Sequence, residues 1–557
     1  MRNIVLLLTL LLSVAGLAQE RVVERTYLST DRDVYVAGET LWYSAFCLDA
    51  ARGTFSPVSS VAYVELHGAG TMVASGKVAL TDGRGAGSLA IPATLPTGNY
   101  RLVAYTAQNK AELDYDYNGL ASKTVSVFNV FSGERVKDGV EIVPEAAYAV
   151  PERPMAALGG VSVTVSGDSL VLENRGGTAA TLSLSVTHDD GIAPNANPTI
   201  ADFTALAGRV GPRRFDNRIL PEYEGEIIRG HVSGFSEAMI PELAGHYAFI
   251  STPSDQSDVY ASVIDAAGRV SFYTGNIYGN KEYICEIEGV DPSFNGYVEL
   301  ESPFVNAPVA ATEKLRLSES LREALRARGV AMQIGRHFTA DTLLDALPVR
   351  RIGLFGDEEI VYVLDDYTRF TTMEEVLVEF VSELRARRRS DGARDIKVRL
   401  SDNATPQFSQ VQTLMMIDGV PVFDQQKIMD YDPLLVESIH IYPQTYYIGT
   451  RSFEGIANFV TYRHNLPGFR FGGNVRVIDY QGVAWPMAFT GEKLRGGAAY
   501  PDYRQTVYWH PLLTLAPGER RVISCKMPDY AGRFKVSLEG LSADGTPQQA
   551  ETSFTWR

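Results

Sequence analysis

Short runs of alternating apolar and polar residues dominate the chain. In Val161–Val165, valines occupy every second position, with serine and threonine between them. Successive side chains point to opposite faces of a strand, so this spacing is typical of a strand with one face in a core. Gly167-Asp168 and Asp544-Gly545 are dipeptides typical of hairpin turns. The pattern therefore predicts a mainly β protein built from sandwich domains of about 100 residues each.

The periodicity becomes helical in two places in the second half of the chain. Apolar residues recur at helical spacing over 317–325 and over 373–384. Thr371 or Thr372 is predicted to cap the second helix. This helix is predicted to end at four arginines, because cations near a helix C-terminus interact favourably with the helix dipole. These are Arg385, Arg387, Arg388 and Arg389. An alternative role for these arginines is contact with anionic lipid headgroups or with an acidic partner.

These patterns divide the 557-residue chain, which is too long for one core, into separate domains. The predicted segments are a leader at 1–18, a β-sandwich at 19–135, a second β region at 155–308, an α+β domain at 312–475 and a C-terminal β domain at 476–557. The second region is predicted as two small sandwiches, or as one interrupted by a loop-rich stretch over 194–221. Val150–Pro154 is predicted to be a linker.

The N-terminus has the features of a secretory signal peptide. Arg2 precedes the leucine-rich apolar run Ile4–Val14, and Gly16 and Ala18 are small residues suited to cleavage before Gln19. The run is shorter than the roughly 20 residues that a membrane-spanning helix needs. The alternative is a buried N-terminal helix. We expect an exported protein that is periplasmic or associated with the outer membrane, with the periplasm favoured over the cell surface.

Composition excludes some classes of function. The chain has 51 lysines and arginines and 67 aspartates and glutamates, a formal net charge of −16. An acidic chain has no general attraction for phosphate backbones, so nucleic acid is not an expected partner. Cys47, Cys285 and Cys525 lie far apart without a Cys-x-x-Cys pair, which predicts buried core residues instead of a zinc or redox site. No cofactor and no metal are predicted.

A first resemblance lies near the N-terminus. Residues 27–43 include Tyr-Val-Ala-Gly-Glu followed by an aromatic strand. This segment resembles the opening of the macroglobulin-type β-sandwich of alpha-2-macroglobulins, although Arg32, Asp33 and Ala37 replace a lysine and two prolines of the family pattern. The thioester Cys-Gly-Glu-Gln motif is missing, so covalent protease trapping is not expected. Non-covalent protease binding, with a bait loop within 194–221, remains an alternative function.

A second resemblance lies in the α+β domain. Leu414–Val422 contains Asp-Gly-Val-Pro, and Leu434–Tyr442, Tyr447–Gly449 and Gly455–Tyr462 follow in order. These segments are similar to the plug domain of TonB-dependent outer-membrane receptors. Fewer than 100 residues follow Tyr462, whereas a receptor of that family needs about 22 strands of about 10 residues each. The resemblance therefore implies a plug-like domain without a barrel or a transmembrane segment of its own.

The combination resembles Bacteroidota envelope proteins that join tandem macroglobulin/Ig-like β-sandwiches, an α+β plug-like domain and a C-terminal β-sandwich module. The resemblance implies a non-catalytic binding or scaffolding protein, an accessory component of an outer-membrane complex. The expected partner is a protein of the outer membrane or periplasm, such as a β-barrel protein. The residues proposed to contact it are Asp418, Gly419, Val420, Pro421, Tyr446, Tyr447 and Gly449. Alternatively, the tyrosines close the core of the plug.

Two further motifs are candidates for chemistry. Gly167-Asp168-Ser169-Leu170 has the form of a serine esterase motif, which gives a third hypothesis, a hydrolase using Ser169. Because the motif lies between two alternating runs, a plain hairpin turn is favoured. His188-Asp189-Asp190 could hold a metal, but neighbours on a strand point to opposite faces, so an ordinary strand end is favoured.

Overall fold

Most of the chain is described by the computed structural model. It describes residues 21–119, 122–131, 139–148, 155–192, 195–209, 211, 213–254, 258–275, 277–290, 296–338, 344–347, 355, 360–401, 407–489 and 502–557. The predicted leader and the predicted linker Val150–Pro154 lie outside these residues. The chain divides into a first unit of 1–224, 304–347 and 483–557, and a second unit of 225–303 and 348–482.

Strands predominate, which confirms the predicted mainly β fold class. The strands of the first half are β1 (Glu24–Thr30), β2 (Val34–Val36), β3 (Thr40–Asp49), β4 (Thr54–Phe55), β5 (Val61–Gly68), β6 (Thr71–Ala79), β7 (Arg84–Ala90), β8 (Gly98–Thr106), β9 (Ser122–Phe128), β10 (Val140–Val143), β11 (Val161–Ser166), β12 (Ser169–Asn174), β13 (Ala180–His188), β14 (Ile227–Ser233), β15 (Tyr247–Ser251), β16 (Val259–Val263), β17 (Arg269–Tyr273), β18 (Asn280–Ile287) and β19 (Tyr297–Leu300).

The remaining strands follow in chain order. They are β20 (Leu315–Ser318), β21 (Leu344–Ala346), β22 (Ile360–Val363), β23 (Leu384–Arg388), β24 (Arg394–Leu400), β25 (Gln407–Phe408), β26 (Leu414–Ile417), β27 (Val420–Pro421), β28 (Val436–Ile448), β29 (Arg451–Thr461), β30 (Arg476–Gln481), β31 (Met487–Phe489), β32 (Thr506–Leu515), β33 (Arg520–Ser524), β34 (Gly532–Ser542) and β35 (Pro547–Trp556).

Helices are few and mostly short. The α-helices are α1 (Ala107–Ala111), α2 (Ile200–Ala207), α3 (Arg322–Phe338), α4 (Met373–Glu379) and α5 (Gln426–Met429). Single 3₁₀ turns occur at Glu145–Ala147, Ile240–Leu243, Glu319–Leu321, Leu364–Asp366 and Pro433–Leu435. In the part of the chain that the structure describes, no helix has the length and apolar character needed to cross a membrane.

Two β-sandwiches form most of the first unit. In the first sandwich, the sheet β1-β3-β4, with β7 also paired to β3, packs against the sheet β2-β9-β8-β5-β6. In the second, the sheet β11-β12-β33 packs against the sheet β32-β13-β34-β35. The second sandwich therefore combines strands from the segments assigned from sequence to 155–308 and to 476–557. The parallel pair β10-β20 and the antiparallel pair β21-β31 also belong to this unit.

The second unit contains a sandwich and an α+β region. The sheets β17-β14-β19 and β16-β15-β18-β30 enclose one apolar core. The five-stranded sheet β22-β28-β29-β26-β27 and the three-stranded sheet β23-β24-β25 share another core with α4. Within this unit, Phe249 of β15 packs with Met416 of β26 and Phe453 of β29. Such contacts join the sandwich to the five-stranded sheet.

The predicted helices differ from the observed ones at their ends. Thr372 caps α4 by accepting a hydrogen bond from the Glu375 N–H, as predicted, but the helix ends at Glu379. The prediction that the arginines end this helix is wrong, because β23 carries Arg385, Arg387 and Arg388. The reason is a second periodicity: Leu384 and Ala386 alternate with the arginines and pair with Val398 and Ile396 of β24. The earlier helix likewise begins only at Arg322, after β20.

Candidate functional site

The Asp418-Gly419 turn joins β26 to β27. Asp418 has φ of +48° and Gly419 has φ of +79°, and Ile417 pairs with Val420 across the turn. Positive φ at both central residues is the requirement of a type I′ hairpin turn, for which Asp-Gly is a preferred dipeptide. The local sequence therefore explains the geometry of this turn without any functional role.

The Asp418 carboxylate is fully buried and accepts three hydrogen bonds. Its Oδ1 accepts from the Thr461 N–H at 2.6 Å, and its Oδ2 accepts from the Thr461 hydroxyl at 2.7 Å and from the Leu466 N–H at 2.8 Å. The Gly419 N–H donates to Asn458 Oδ1 at 2.9 Å. Hydrogen bonds to an ionised carboxylate are about twice as strong as neutral ones. The turn thus fastens the end of β29 and the segment after it.

The tip of the β28–β29 hairpin is the other place where predicted contact residues lie. Gly449 is exposed and has φ of +59°, and the Tyr447 side chain is 72% exposed. Tyr446 is half-buried, with its ring 5.6 Å from Phe355 and 6.0 Å from Tyr442. The tip therefore presents one free aromatic side chain on a base of packed aromatic rings.

The seven predicted contact residues do not form one surface. The turn residues Asp418, Gly419, Val420 and Pro421 are buried, and only the tip residues Tyr446, Tyr447 and Gly449 reach solvent. Thr461, which binds Asp418, lies ten residues after Arg451 at the tip, roughly 33 Å along the strand. The contact role of the seven residues stays a prediction, and the geometry suits the tip better than the turn.

Sequence reasoning missed the ion pair that holds Arg451 at the tip of the hairpin. The Arg451 guanidinium donates to Glu288 through Nη2 at 2.6 Å and through Nε at 2.9 Å. It also lies over the rings of Phe453 and Tyr247, with Arg451 Cζ 4.8 and 5.6 Å from the ring centroids. The hydrogen bonds to Glu288 raise the pKa of Arg451. Since 163 residues separate the two partners, no local sequence signal could have found this pair.

Buried carboxylates in the first sandwich also accept several hydrogen bonds from the protein, as Asp418 does. Glu65 accepts from His67 Nε2 at 2.7 Å, from the Tyr105 hydroxyl at 2.5 Å, and from the N–H groups of Asn306 and Ala307 at 3.1 and 2.7 Å. Desolvation raises the pKa of Glu65, but the hydrogen bonds outweigh it and the net pKa is lowered. The carboxylate thereby ties the segment after Phe304 to the sandwich.

Glu24 of β1 shows the same arrangement and is also fully buried. Its carboxylate accepts from the hydroxyls of Ser56, Ser59 and Thr106 at 2.5, 2.5 and 2.7 Å. The Ser59 N–H adds a fourth donor at 3.1 Å. Buried charges are stable only when they are paired or fully hydrogen-bonded. These groups hold strands and loops together, and their oxygens are already occupied.

A charged cleft of about 260 Å³ in the first unit includes the predicted strand end at His188. Asp190 forms a buried ion pair with Arg328 at 2.7 Å, and Asp189 pairs with Arg533 at 3.1 Å. The His188 ring packs edge-on against Tyr530, and burial lowers the pKa of His188. The three neighbouring side chains thus turn to different partners. Among the described residues, no group of ligands suited to a metal ion is found.

The Gly167-Asp168 turn joins β11 to β12 and confirms the predicted hairpin. Ser169 is the first residue of β12, and its hydroxyl donates to Asp168 Oδ1 at 3.0 Å. This is a contact between neighbours in an exposed turn. The three cysteines are free and buried, as predicted. Burial raises the pKa of Cys285 and of Cys525 to about 12, so neither thiol is ionised at neutral pH.

The first sandwich is a macroglobulin-type domain. Residues 25–127 match the family model of the MG2 domain, in agreement with the resemblance of residues 27–43. The same comparison supports the fold class of macroglobulin/Ig-like sandwiches. It does not extend to the plug-like domain, which stays a prediction.

Comparison with solved structures finds alpha-2-macroglobulins. Trypsin-activated alpha-2-macroglobulin from Escherichia coli is 10% identical, with 96% of this chain and 41% of that chain covered and a TM-score of 0.23. Salmonella alpha-2-macroglobulin reacted with methylamine is 9% identical, with 97% and 40% covered and a TM-score of 0.23. Dimeric latent PorU from Porphyromonas gingivalis is 11% identical, with 52% and 34% covered and a TM-score of 0.17.

This chain spans about two fifths of the length of the two alpha-2-macroglobulins. No curated protein sequence matches it.

Proposed function

We propose that the protein is a non-catalytic binding or scaffolding protein of the cell envelope, an accessory component of an outer-membrane protein complex. One observation carries the proposal. The buried carboxylates Asp418, Glu65 and Glu24 accept three or four hydrogen bonds each from the protein itself. Their role is to rigidify the fold.

The MG2 match supports a role in protein binding, because sandwich domains of this type present strand edges and loops on a rigid core. The export of the protein, and its place at the outer membrane, rest on the leader-like N-terminus and on the resemblance of residues 414–462 to a receptor plug. Both parts of the proposal are open to direct test.

The tip of the β28–β29 hairpin is the proposed contact surface. Tyr447 is 72% exposed, whereas the Arg451–Glu288 pair and the Tyr446–Phe355 contact fix the strands beneath it. An exposed tyrosine on a rigid base loses little side-chain entropy on binding, and tyrosine is among the residues that contribute most to interfaces. The tip therefore suits a partner that offers an apolar pocket with a polar rim.

A pull-down from detergent-solubilised membranes tests this function. The tagged wild-type protein is expected to recover an outer-membrane protein, and Tyr447→Ala is expected to lose most of it. Tyr462→Ala is the matched control, because Tyr462 lies at the other end of β29 and its hydroxyl binds Asp365 at 2.7 Å. Recovery of the wild-type protein alone, or equal recovery with both variants, would count against the proposal.

A second candidate function is protease binding without a thioester, which the MG2 match favours. The predicted bait stretch over 194–221 contains α2, capped by reciprocal hydrogen bonds between Thr199 and Asp202 and anchored by buried Phe203. Arg214 and Arg218 beyond it are about four-fifths exposed and suit trypsin. Cleavage there with slower trypsin action on a large protein substrate would support this function. Unchanged trypsin activity at high molar excess would exclude it.

A further inference from the structure

The sheet β23-β24-β25 of the second unit has an outward face that is rich in cations. Residues 385–399 include seven lysines and arginines but only two aspartates, although the chain as a whole has a formal net charge of −16. Leu384 and Ala386 of β23 pack against the core of the α+β region. Since successive side chains of a strand point to opposite faces, Arg385 and Arg387 point outward, and both are exposed.

The second strand of this sheet extends the same face. Lys397 lies between two buried positions of β24, so its side chain and that of Arg399 point outward as well. Lys397 is paired through the backbone with Arg385, in a neighbouring strand about 4.8 Å away. Its ammonium donates to the Val411 carbonyl at 3.0 Å. The outward cations form two short rows, which we call the arginine face: Arg385, Arg387, Lys397 and Arg399.

Two carboxylates beside the arginine face are occupied by other groups. Asp395 lies across from β23, but its ion pair, at 3.5 Å, is with Arg389 beyond the end of that strand. Glu383 accepts hydrogen bonds from the hydroxyls of Ser382, at 2.9 Å, and of Tyr362. The positive charge of the face therefore has no ion-pair partner in the part of the chain that the structure describes.

The guanidinium groups of the face are available to a ligand. Arg387 and Arg399 are exposed, and neither forms an ion pair or a side-chain hydrogen bond with a described residue. Arg385 Cζ lies 5.7 Å from the ring centroid of Phe408 in β25, and its N–H groups donate to no described residue. A guanidinium presents planar N–H pairs that match a carboxylate in a bidentate arrangement. The face thus combines unpaired bidentate donors with an aromatic ring.

The spacing of the arginine face matches an extended peptide. Residues two apart on a strand are separated by about 6.7 Å, so Arg385 and Arg387 repeat at the interval at which an extended peptide repeats the side chains on one of its own faces. Carboxylates at alternate positions of such a peptide therefore meet one guanidinium each. An anionic membrane surface has no such repeat, and a chain with a net charge of −16 is repelled by it as a whole.

We propose that the arginine face binds an extended acidic segment of a partner protein, which carries aspartate or glutamate at alternate positions. Two of its carboxylates each accept a pair of hydrogen bonds, one pair from Arg385 and one pair from Arg387. The second row of cations discriminates against basic segments. An apolar residue next to the acidic run covers the Phe408 ring. This surface does not include Tyr447, so either contact can fail while the other holds.

Binding of a synthetic peptide to the full-length protein tests this surface. The probe is a dye-labelled peptide of about ten residues, with glutamate at alternate positions, serine between them and one phenylalanine at the end. Fluorescence anisotropy is expected to show binding that weakens as salt rises from about 0.05 M to about 0.3 M, because salt screens exposed charges. The same peptide with glutamine in place of glutamate is expected not to bind. A peptide of equal composition with consecutive glutamates is expected to bind more weakly.

Substitution of one arginine locates the binding site. Arg387→Gln is expected to weaken binding of the alternating peptide about fivefold, the upper end for an exposed ion pair, and to leave folding intact because the side chain is exposed. Arg463→Gln is the matched control, since Arg463 is an exposed arginine elsewhere in the same unit, and it should leave the affinity unchanged. Tyr447→Ala should also leave it unchanged. Equal losses in Arg387→Gln and Arg463→Gln, or no binding of the peptide to the wild-type protein, would overturn the proposal.

Lipid vesicles distinguish a membrane surface from a protein segment. The full-length protein is sedimented with vesicles of phosphatidylcholine that contain phosphatidylglycerol, and no co-sedimentation through the arginine face is expected. Co-sedimentation that Arg387→Gln abolishes, together with equal binding of the alternating and consecutive peptides, would assign the face to anionic lipid and overturn the proposal.

Discussion

The Asp418 turn and the tip of the β28–β29 hairpin lie at opposite ends of the same sheet, and they differ in their surroundings. The Asp418 carboxylate is fully buried and accepts three hydrogen bonds. Tyr447 at the tip is 72% exposed, on a base held by the Arg451–Glu288 pair. Removal of the Asp418 carboxylate should therefore destabilise the fold strongly, whereas the fold should tolerate removal of the Tyr447 side chain. Substitutions at the two ends should therefore separate stability from binding.

The largest expected effect is that of Asp418→Ala. It leaves the buried N–H groups of Thr461 and Leu466 without an acceptor and should lower the free energy of unfolding by about 4 kcal/mol. Asp418→Asn keeps one acceptor and should cost about half as much. Urea unfolding followed by circular dichroism measures both, because all four tryptophans lie in the first unit and do not report on the second. The control is Asp430→Ala at an exposed position of the same region, which should change stability by less than about 0.5 kcal/mol.

A comparable but smaller effect is expected for Glu65→Gln in the first sandwich. The amide keeps one acceptor oxygen but faces four donors, so the loss should be about 2 kcal/mol. Because the folded pKa of Glu65 is lowered below 4.5, its contribution is fully present above that pH and is lost as pH falls through the lowered pKa. The difference in stability between wild type and variant should therefore shrink in acid. A difference independent of pH would contradict this account.

An effect of opposite pH dependence is expected at Glu286 on β18. Burial raises the pKa of Glu286 to about 8, with Lys427 opposing the shift and Asp424 adding to it. The folded protein then binds a proton that the unfolded chain releases near pH 4.5, so stability falls as pH rises between those values. In Glu286→Gln this fall in stability with rising pH should disappear, because glutamine does not titrate. The melting temperature of the variant should rise relative to wild type from pH 5 to pH 8, and a constant difference would refute the prediction.

The smallest effect on stability is expected for Tyr447→Ala. The exposed ring makes little contact with the fold, so the free energy of unfolding should change by less than about 0.5 kcal/mol. Recovery of the partner in the pull-down should nevertheless fall sharply. A loss of stability similar to that of Asp418→Ala would show that the tyrosine closes the core, which is the alternative raised from the sequence.

Features with local causes could be predicted from the sequence. The alternation of apolar and polar residues predicted the β11–β12 hairpin with its Gly167-Asp168 turn, and Thr372 was predicted as a candidate helix cap. The first sandwich could be predicted because the segment 27–43 carries a family pattern that the MG2 match confirms. In each case the physical determinant lies within a few residues of its effect.

Features that depend on distant partners could not be predicted. β13 pairs with β32 and β34, more than 300 residues later, and nothing in its own alternation specifies those partners. The segment from Arg385 to Arg388 was predicted as a helix end. Its alternation with Leu384 and Ala386 indicates a strand only once the pairing with β24 is known. The burial of the Asp418 turn could not be predicted for the same reason, because the three groups that donate hydrogen bonds to its carboxylate belong to residues 461 and 466.

Photo-crosslinking in intact producing cells tests the central claim most directly. A benzophenone amino acid is placed at position 447 or, as the control, at position 462, just past the other end of β29, and adducts are identified by mass spectrometry. One defined adduct with an outer-membrane protein is expected from position 447 and none from position 462. Absence of any protein adduct at 447, in a protein that is exported and folded, would contradict it.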